Sequence, residues 1–513
     1  MSATSQPAVG PEAIHREKLE RLKTGRAKGI PSNADWIASL SPEERARRFT
    51  GTVRRKPTRT LSGVAVVAVM TAPARCPHGR CTYCPGGVEN SSPQSYTGEE
   101  PSALRGAQFH WDSRAITQHR LEALEAIGHP TSKVEVIVMG GTFPSRPREY
   151  QRSVLQGIYD GLNGVPSASI AEAQHLNESA AHRLVGLTVE TRPDWCDERV
   201  LPFLLDAGVT RVEIGVECLE PEVLEQVGRA HGVEDVTRAS RAAREQGLKV
   251  CYHMMLGLPG MTPERDLEGF ARLFADPAYR PDMLKIYPTL VLPGTPLFED
   301  YRAGRYTPYD TETAADLLAR IKERLPPWVR IQRIQRDIPS RLIAAGVRQS
   351  NIRQLALAKL TERGVRCPCL RCREVGRRSN PPIEELELTE LRYAASAGEE
   401  VFLAWEHRPT AAVAGFLRLR LPETASSFPP IIRELKVLGS ELPVGTRAEG
   451  TTGYQHLGLG RQLVHRAEAL TREAGFGRLR VISAVGTRPY YARLGYDRDG
   501  PWMAKAVCAG TLR

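Results

Sequence analysis

The sequence has no uninterrupted apolar run long enough to span a bilayer, which excludes a predicted membrane-spanning helix. Its first 29 residues are polar and basic and lack the apolar core of a signal peptide. Internal repeats and low-complexity tracts are also absent. The composition is that of a globular protein, 41% hydrophobic and 25% charged, and 513 residues leave room for two or three domains. We therefore expect a soluble, cytoplasmic protein with no membrane partner.

Cysteine is scarce and unevenly distributed. Only ten of the 513 residues are cysteine, and six of these fall into two tight groups. In a reducing compartment, grouped thiols indicate metal sites and not a disulfide framework. We expect the four scattered cysteines to be small buried residues. The two groups are Cys76, Cys81 and Cys84, and Cys367, Cys369 and Cys372; the scattered residues are Cys196, Cys218, Cys251 and Cys508.

Acidic residues are depleted in two stretches of the chain. Residues 324–378 contain 14 Lys and Arg but only 3 Asp and Glu, and residues 16–62 contain 13 against 5. The rest of the chain has an excess of acidic residues, with 43 basic against 51 acidic. This asymmetry predicts a localised surface for a polyanion, although two solvated basic faces are the simpler alternative.

Apolar runs alternate with helical patterns from residue 63 to about residue 288. Runs that are apolar throughout and separated by helices predict buried parallel strands in βα units, and about six units fit a partial (β/α) barrel. The predicted strands are Val64–Met70, Val134–Met139, Leu184–Val189, Arg211–Val216, Lys249–Met255 and Met283–Tyr287. The predicted helices are Asp112–Ile127, Pro147–Leu162, Asp197–Ala207, Glu220–Val227, Val233–Gln246 and Pro263–Phe274.

The remaining chain predicts three further parts. Residues 1–60 form a basic N-terminal segment, with helices expected at Pro11–Lys23 and Ser32–Phe49. The barrel then occupies residues 61–325 and a basic connector residues 326–382. Residues 383–513 predict an α+β domain with strands at Glu399–Glu406, Thr410–Arg420, Ile431–Leu438 and Leu479–Ile482, and a helix at Leu459–Ala474.

The first cysteine group follows the first predicted strand. Three thiolates can hold a four-iron cluster while one iron stays open for another ligand. The spacing Cys81-x2-Cys84 is the one that radical S-adenosylmethionine enzymes use, although the first gap here has four residues where three are usual. Gly140 and Gly141 after the second strand would admit S-adenosylmethionine close to the backbone. A zinc knuckle completed by His78 or His110 is the alternative.

Two further motifs indicate ligand sites in the second half of the chain. Cys367-x-Cys369-x2-Cys372 is typical of a structural zinc site with an unidentified fourth ligand, although redox or fortuitous clustering stays open. Gln455-x2-Gly458-x-Gly460, just before a predicted helix, resembles the acetyl-CoA loop of GNAT acetyltransferases, in which backbone N–H groups bind pyrophosphate. Tyr490 and Tyr491 match the position of the GNAT general acid, but they are equally consistent with ring packing.

Taken together, these motifs resemble the family of the Elongator catalytic subunit, in its stand-alone bacterial and archaeal form. The resemblance extends in order from about residue 60 to the C-terminus. It rests on Arg75–Gly87, Lys133–Phe143, Glu190–Asp194, Lys285–Pro288, Arg371–Gly376, Gly453–His456 and Gly486–Tyr491.

The resemblance implies an enzyme that transfers a carboxymethyl group to C5 of the wobble uridine of tRNA. It implies a 4Fe-4S cluster on the first three cysteines, S-adenosylmethionine, acetyl-CoA and zinc. The two basic segments would grip the tRNA anticodon loop, and no obligatory protein partner is implied. The acetyl-CoA contacts of the family fall on Lys133, Glu434, Leu435, Lys436, Val437, Leu459, Gly460, Arg461 and Tyr491.

One residue departs from the family, because Lys436 stands where eukaryotic members have His. Three other functions stay open at this point. They are a protein lysine acetyltransferase with a vestigial barrel, a tRNA-binding protein that hydrolyses acetyl-CoA, and a different radical enzyme such as a methylthiotransferase.

Overall fold

The computed structural model describes residues 16–17, 19–20, 22–24, 36, 59–423, 428–439 and 453–507. The two helices predicted before residue 50 lie largely outside the described residues, as do most of the basic segment 16–62 and Cys508. In the described part of the chain, no helix is both long and apolar enough to cross a membrane.

A sheet of seven parallel strands in sequential order forms the first half of the molecule. Six strands lie where the sequence predicts them. The seventh was missed, because its Arg-Ile-Gln-Arg-Ile sequence alternates and lies within the predicted connector. The strands are β1 (Ala65–Met70), β2 (Lys133–Met139), β3 (Arg183–Thr191), β4 (Arg211–Glu217), β5 (Lys249–Leu256), β6 (Met283–Pro288) and β7 (Arg330–Ile334).

Helices pack on the outer face of this sheet. Their apolar sides and the buried side chains of the strands together form the hydrophobic core. Asp112 caps the second helix by accepting N–H groups from Arg114 and Ala115, which fixes where the helix begins. The helices are α1 (Pro101–Gln108), α2 (Ser113–Glu125), α3 (Arg148–Asn163), α4 (Ile170–Asn177), α5 (Leu201–Asp206), α6 (Pro221–Gln226), α7 (Val233–Glu245), α8 (Pro263–Ala275), α9 (Pro296–Arg302), α10 (Thr311–Glu323), α11 (Ile352–Glu362) and α12 (Leu370–Arg373).

A second sheet of seven strands forms the C-terminal half, in the order β13-β14-β12-β11-β10-β9-β8. Its neighbouring strands are antiparallel except β11 and β12, which run parallel. These two pair at only two positions, Ile431 with Arg480 and Ile432 with Val481. Helix α13 packs against this sheet. The elements are β8 (Glu387–Ala394), β9 (Gly398–His407), β10 (Ala412–Pro422), β11 (Ile431–Val437), α13 (Leu459–Glu473), β12 (Arg478–Val481), α14 (Arg488–Ala492), β13 (Asp497–Asp499) and β14 (Trp502–Ala506).

Buried charges join the two halves. Asp282, just before β6, is fully buried and accepts hydrogen bonds from Arg433 of β11 at 3.0 and 2.5 Å. Arg433 also donates to Glu400 of β9 at 2.8 Å. An uncompensated buried charge is costly, so Asp282 of the first half and Arg433 of the second half each depend on the other. The network fixes the second sheet against the amino ends of the parallel strands.

Candidate functional site

The first cysteine group lies in a cavity at the carboxyl ends of the parallel strands. Cys76, Cys81 and Cys84 follow β1 and line this cavity together, and Gly141 lies on the same wall. Their sulfur atoms are not all within 4.8 Å of one another, and neither His78 nor His110 completes a metal-sized group with them. Three thiols spaced in this way fit a cluster, in which each binds a different iron, better than one zinc ion.

Three polar side chains contact the thiols of this cavity. The imidazole Nε2 of His78 lies 3.2 Å from Cys81 Sγ, and the amide of Gln94 donates to Cys84 Sγ at 3.2 Å. Arg229 is buried, pairs with Glu217 at 3.2 Å and lies 3.9 Å from Cys81 Sγ. Burial raises the pKa of Cys76 to about 11. A thiolate here would therefore need a positive partner such as a metal.

The glycine turn after β2 places backbone at the cavity wall. Gly140 and Gly141 both have positive φ angles, at 129° and 91°. A Cβ atom on Gly140 would lie 2.1 Å from the hydroxyl of Thr71, so only glycine fits. Gly141 lines the cavity, whereas Gly140 lies behind it and donates its N–H to Glu190 at 3.3 Å.

A second cavity lies at the opposite, amino end of the same strands. It opens between the parallel sheet and the second sheet, and Lys133 of β2 donates across it to Gln455 at 2.6 Å. We call it the interdomain cleft. It contains all the residues that the sequence assigns to acetyl-CoA: Lys133, Glu434, Leu435, Lys436, Val437, Gln455, Gly458, Leu459, Gly460, Arg461, Tyr490 and Tyr491.

The amino end of α13 faces this cleft. Gly458 precedes the helix with φ of 88° and makes no side-chain cap, so the first N–H groups of the helix are available to an anion. Gly460 is in the first turn, and a Cβ atom there would approach the hydroxyl of Tyr490 to 3.1 Å. Burial raises the pKa of Tyr490 to about 12, which keeps its hydroxyl protonated and able to donate.

A row of charged side chains, here called the charged column, connects the two cavities. Lys436 lies 3.7 Å from Glu135 in the interdomain cleft, and Glu135 pairs with Arg211. Arg211 Nε is 3.5 Å from Glu213, which also pairs with Lys285.

At the inner end of this column, His253 Nε2 lies 3.0 Å from Glu213 and Lys285 Nζ lies 3.9 Å from Glu190. Glu213, His253 and Lys285 line the cysteine cavity, whereas Glu135 and Arg211 line the interdomain cleft. Sequence reasoning assigned none of these residues a role. The sequence does contain a sign of them, because charged side chains occupy alternate positions in strands whose other residues are apolar.

The second cysteine group is a compact cluster beside β7. The sulfur atoms of Cys367, Cys369 and Cys372 all lie within 4.8 Å of one another, as the ligands of a single metal ion do. The ammonium of buried Lys322 lies 3.7 Å from Cys372. Among the described residues, no His, Asp, Glu or fourth Cys joins this group. Of the scattered cysteines, Cys196, Cys218 and Cys251 are buried as predicted.

The basic segment 324–378 has fewer cations available to a polyanion than its composition indicates. Seven of its fourteen cations form ion pairs, several with acidic residues elsewhere in the chain. Arg330 and Arg373 are buried. Arg324, Arg348 and Arg366 are exposed, while Arg333 and Arg336 line the cysteine cavity. The part of this segment available to a polyanion is therefore a subset of its cations.

Comparison with known proteins agrees with this architecture. Residues 71–274 match the Radical SAM superfamily, and residues 281–362 match the Radical_SAM C-terminal domain, which includes β7. The tRNA uridine(34) acetyltransferase of Methanocaldococcus jannaschii is 43% identical over 96% of this chain and 93% of its own. Elongator complex protein 3 of Homo sapiens is 42% identical over 95% of this chain and 92% of its own.

A solved structure gives the same result. The archaeal Methanocaldococcus infernus Elp3 with an N-terminal deletion (1–46) superposes with a TM-score of 0.77 at 39% identity. The match covers 87% of this chain and 100% of that one. The chain belongs to the Elongator catalytic subunit family, within the Radical SAM superfamily.

Proposed function

We propose that this protein transfers a carboxymethyl group, derived from acetyl-CoA, to C5 of the wobble uridine of tRNA. The observation that carries the proposal is the placement of two unlike cavities at opposite ends of the same parallel strands, joined by the charged column. A radical enzyme acting on a small molecule would need only the cysteine cavity. An acetyltransferase would need only the interdomain cleft. The relatives' name, which specifies tRNA uridine 34, supports the choice of substrate.

The cysteine cavity fits a 4Fe-4S cluster held by Cys76, Cys81 and Cys84. When bound, the cluster would supply the electron that cleaves S-adenosylmethionine into methionine and a hydrogen-abstracting deoxyadenosyl group. The contacts of His78, Gln94 and Arg229 with the thiols would stabilise negative sulfur. The glycine backbone at Gly141 leaves room for a ligand beside Cys76, whose sulfur lies 3.9 Å from the position that a Cβ atom would occupy.

The interdomain cleft fits acetyl-CoA. The free N–H groups at the start of α13 and the cations Lys133 and Arg461 suit a pyrophosphate. The same cations, with Lys436 and Arg211, would repel the ammonium of a lysine substrate, which argues against a protein lysine acetyltransferase. Tyr490 keeps its proton and can donate a hydrogen bond to the bound acetyl-CoA.

The compact cysteine group fits one zinc ion. Three thiolates would bring a negative charge that the buried ammonium of Lys322 offsets. The ion would fix α12 and the chain around it after β7. Its role in this proposal is structural.

The tRNA surface extends from the mouth of the cysteine cavity. Arg336 lines that cavity from the loop after β7, and exposed Arg348 follows along the chain. Arg333 and exposed Arg341 would have to exchange their carboxylate partners, Asp337 and Glu99, for a phosphate. Arginine forks suit phosphates and a splayed-out base. The wobble base would have to leave its stack to reach the cysteines.

The test is anaerobic turnover of unmodified tRNA with reconstituted protein, dithionite, S-adenosylmethionine and acetyl-CoA labelled in the methyl carbon. We expect labelled 5-carboxymethyluridine in the nucleoside digest, together with deoxyadenosine. Both should vanish in Cys81→Ala and persist in Cys196→Ala, which removes a buried thiol that does not line the cavity. Release of CoA by the wild type without deoxyadenosine or a labelled base would contradict the proposal and favour acetyl-CoA hydrolysis.

A further inference from the structure

Three side chains separate the two cavities. Glu213, His253 and Lys285 line the cysteine cavity, and Arg211 of the interdomain cleft lies 3.5 Å from Glu213 on their other side. If the proposed function holds, the intermediate has its base in the cysteine cavity and its CoA in the cleft. The thioester that links them must then cross the layer formed by these three residues.

Glu213 orients the imidazole of His253. One ring nitrogen, Nε2, lies 3.0 Å from the Glu213 carboxylate, which is fully buried and held by Lys285 as well. A carboxylate in this position favours the tautomer whose Nε2–H donates to it, so the lone pair is on Nδ1. Among the described residues, Nδ1 has no hydrogen-bond partner. Tyr287 packs edge-on against the ring with 5.6 Å between centroids and limits its rotation.

Lys285 adds a fixed positive charge to the same layer. Its ammonium lies between Glu213 and Glu190, at 3.9 Å from the latter. Although burial opposes the charge, the Glu213 carboxylate raises the pKa of Lys285 above its ordinary value, so the ammonium keeps its proton. A cation beside a thioester carbonyl stabilises the oxygen anion that forms when a nucleophile attacks.

From this arrangement we propose that His253 is the general base that hydrolyses the thioester of the tRNA-linked intermediate, positioned by Glu213 and assisted by Lys285. His253 Nδ1 takes a proton from water as the water oxygen bonds to the carbonyl carbon. The tetrahedral intermediate places its negative oxygen at Lys285. The carbon–sulfur bond then breaks, the thiolate of CoA takes the proton back from the imidazolium, and the carboxymethyl group ionises by releasing one proton. The step involves no change of oxidation state.

The decisive variant is His253→Gln, because a glutamine amide retains a donor for Glu213 but cannot accept a proton as imidazole does. With the turnover assay above, we expect deoxyadenosine within about 3-fold of wild type and free 5-carboxymethyluridine reduced by about 100-fold or more. The tRNA should instead carry coenzyme A on the wobble base, detected by mass spectrometry of the digest. Hydroxylamine, which attacks thioesters without a base, should release the CoA and leave a hydroxamate.

The matched control is His182→Gln, which changes a half-buried histidine held by Thr131 outside both cavities and should behave as wild type. The proposal is wrong if His253→Gln forms 5-carboxymethyluridine near the wild-type rate. It is also wrong if that variant loses deoxyadenosine together with the product, or makes deoxyadenosine without any CoA-linked tRNA. Absence of a labelled base with the wild-type protein would instead contradict the proposed function.

Discussion

At the scale of single residues, burial without a charged partner decides which groups change protonation. Asp266 of α8 supports the loop after β5 by accepting the N–H of Gly257 and the hydroxyl of Tyr309, both at 2.9 Å. Burial nevertheless raises the pKa of Asp266 to about 7. Glu213 shows the opposite behaviour: although it is fully buried, Lys285 and His253 hold its pKa well below the ordinary value. Partners, and not burial alone, set the charge.

We expect the Asp266 carboxyl to make stability depend on pH. Between about pH 4, where an unfolded aspartate ionises, and about pH 7, the folded protein keeps a proton that the unfolded chain has lost. Rising pH therefore favours unfolding across this window. The free energy of unfolding of the wild type, measured by urea titration at several pH values, should fall more steeply over this range than that of Asp266→Asn. Parallel curves for the two proteins would contradict the assignment.

At the scale of secondary-structure elements, the sequence predicted the strands and helices that have a strong local pattern. Strands β1 to β6 lie within two residues of their predicted bounds, because each is a buried apolar run between helices. Strand β8 was missed because it is an exposed edge strand with charges on both faces. The candidate sites show the same difference. The cysteines and the start of α13 were predicted because each lies in a contiguous motif. Glu213 and His253 were not predicted, because they meet only through the pairing of β4 with β5.

The amino end of α13 provides a test at this scale. Gly460→Val would place a side chain between the first turn of the helix and Tyr490, where a Cβ atom is already 3.1 Å from the hydroxyl. We expect the affinity for acetyl-CoA, measured by calorimetry, to fall at least about 10-fold because the pyrophosphate loses its approach to the helix N–H groups. Gly477→Val changes a glycine with open space around it and should leave the affinity unchanged. Equal losses in the two variants would contradict a binding role for this helix end.

At the scale of the whole molecule, the two halves act as one folded unit. A continuous core includes Val212 and Leu284 of the first sheet and Phe402 of the second. The interdomain cleft exists only where the halves meet, since Lys133 and Gln455 come from different halves. The charged column runs from this cleft to the cysteine cavity. The relative position of the two cavities therefore depends on how firmly the two sheets are held together.

Asp282 is a buried charge through which the two halves are attached. It lines neither cavity, yet it pairs with Arg433 and lies 3.8 Å from Arg418 across the domain boundary. Removing one partner of a buried pair leaves the other charge uncompensated, so Asp282→Asn should lower the free energy of unfolding by about 3–5 kcal/mol. It should also weaken acetyl-CoA binding at a distance, because Lys133 and Gln455 would no longer be held in register. Asp300→Asn breaks an exposed pair with Arg305 and should cost less than about 1 kcal/mol. Unchanged acetyl-CoA affinity in a destabilised Asp282→Asn protein would show that the cleft does not depend on this network.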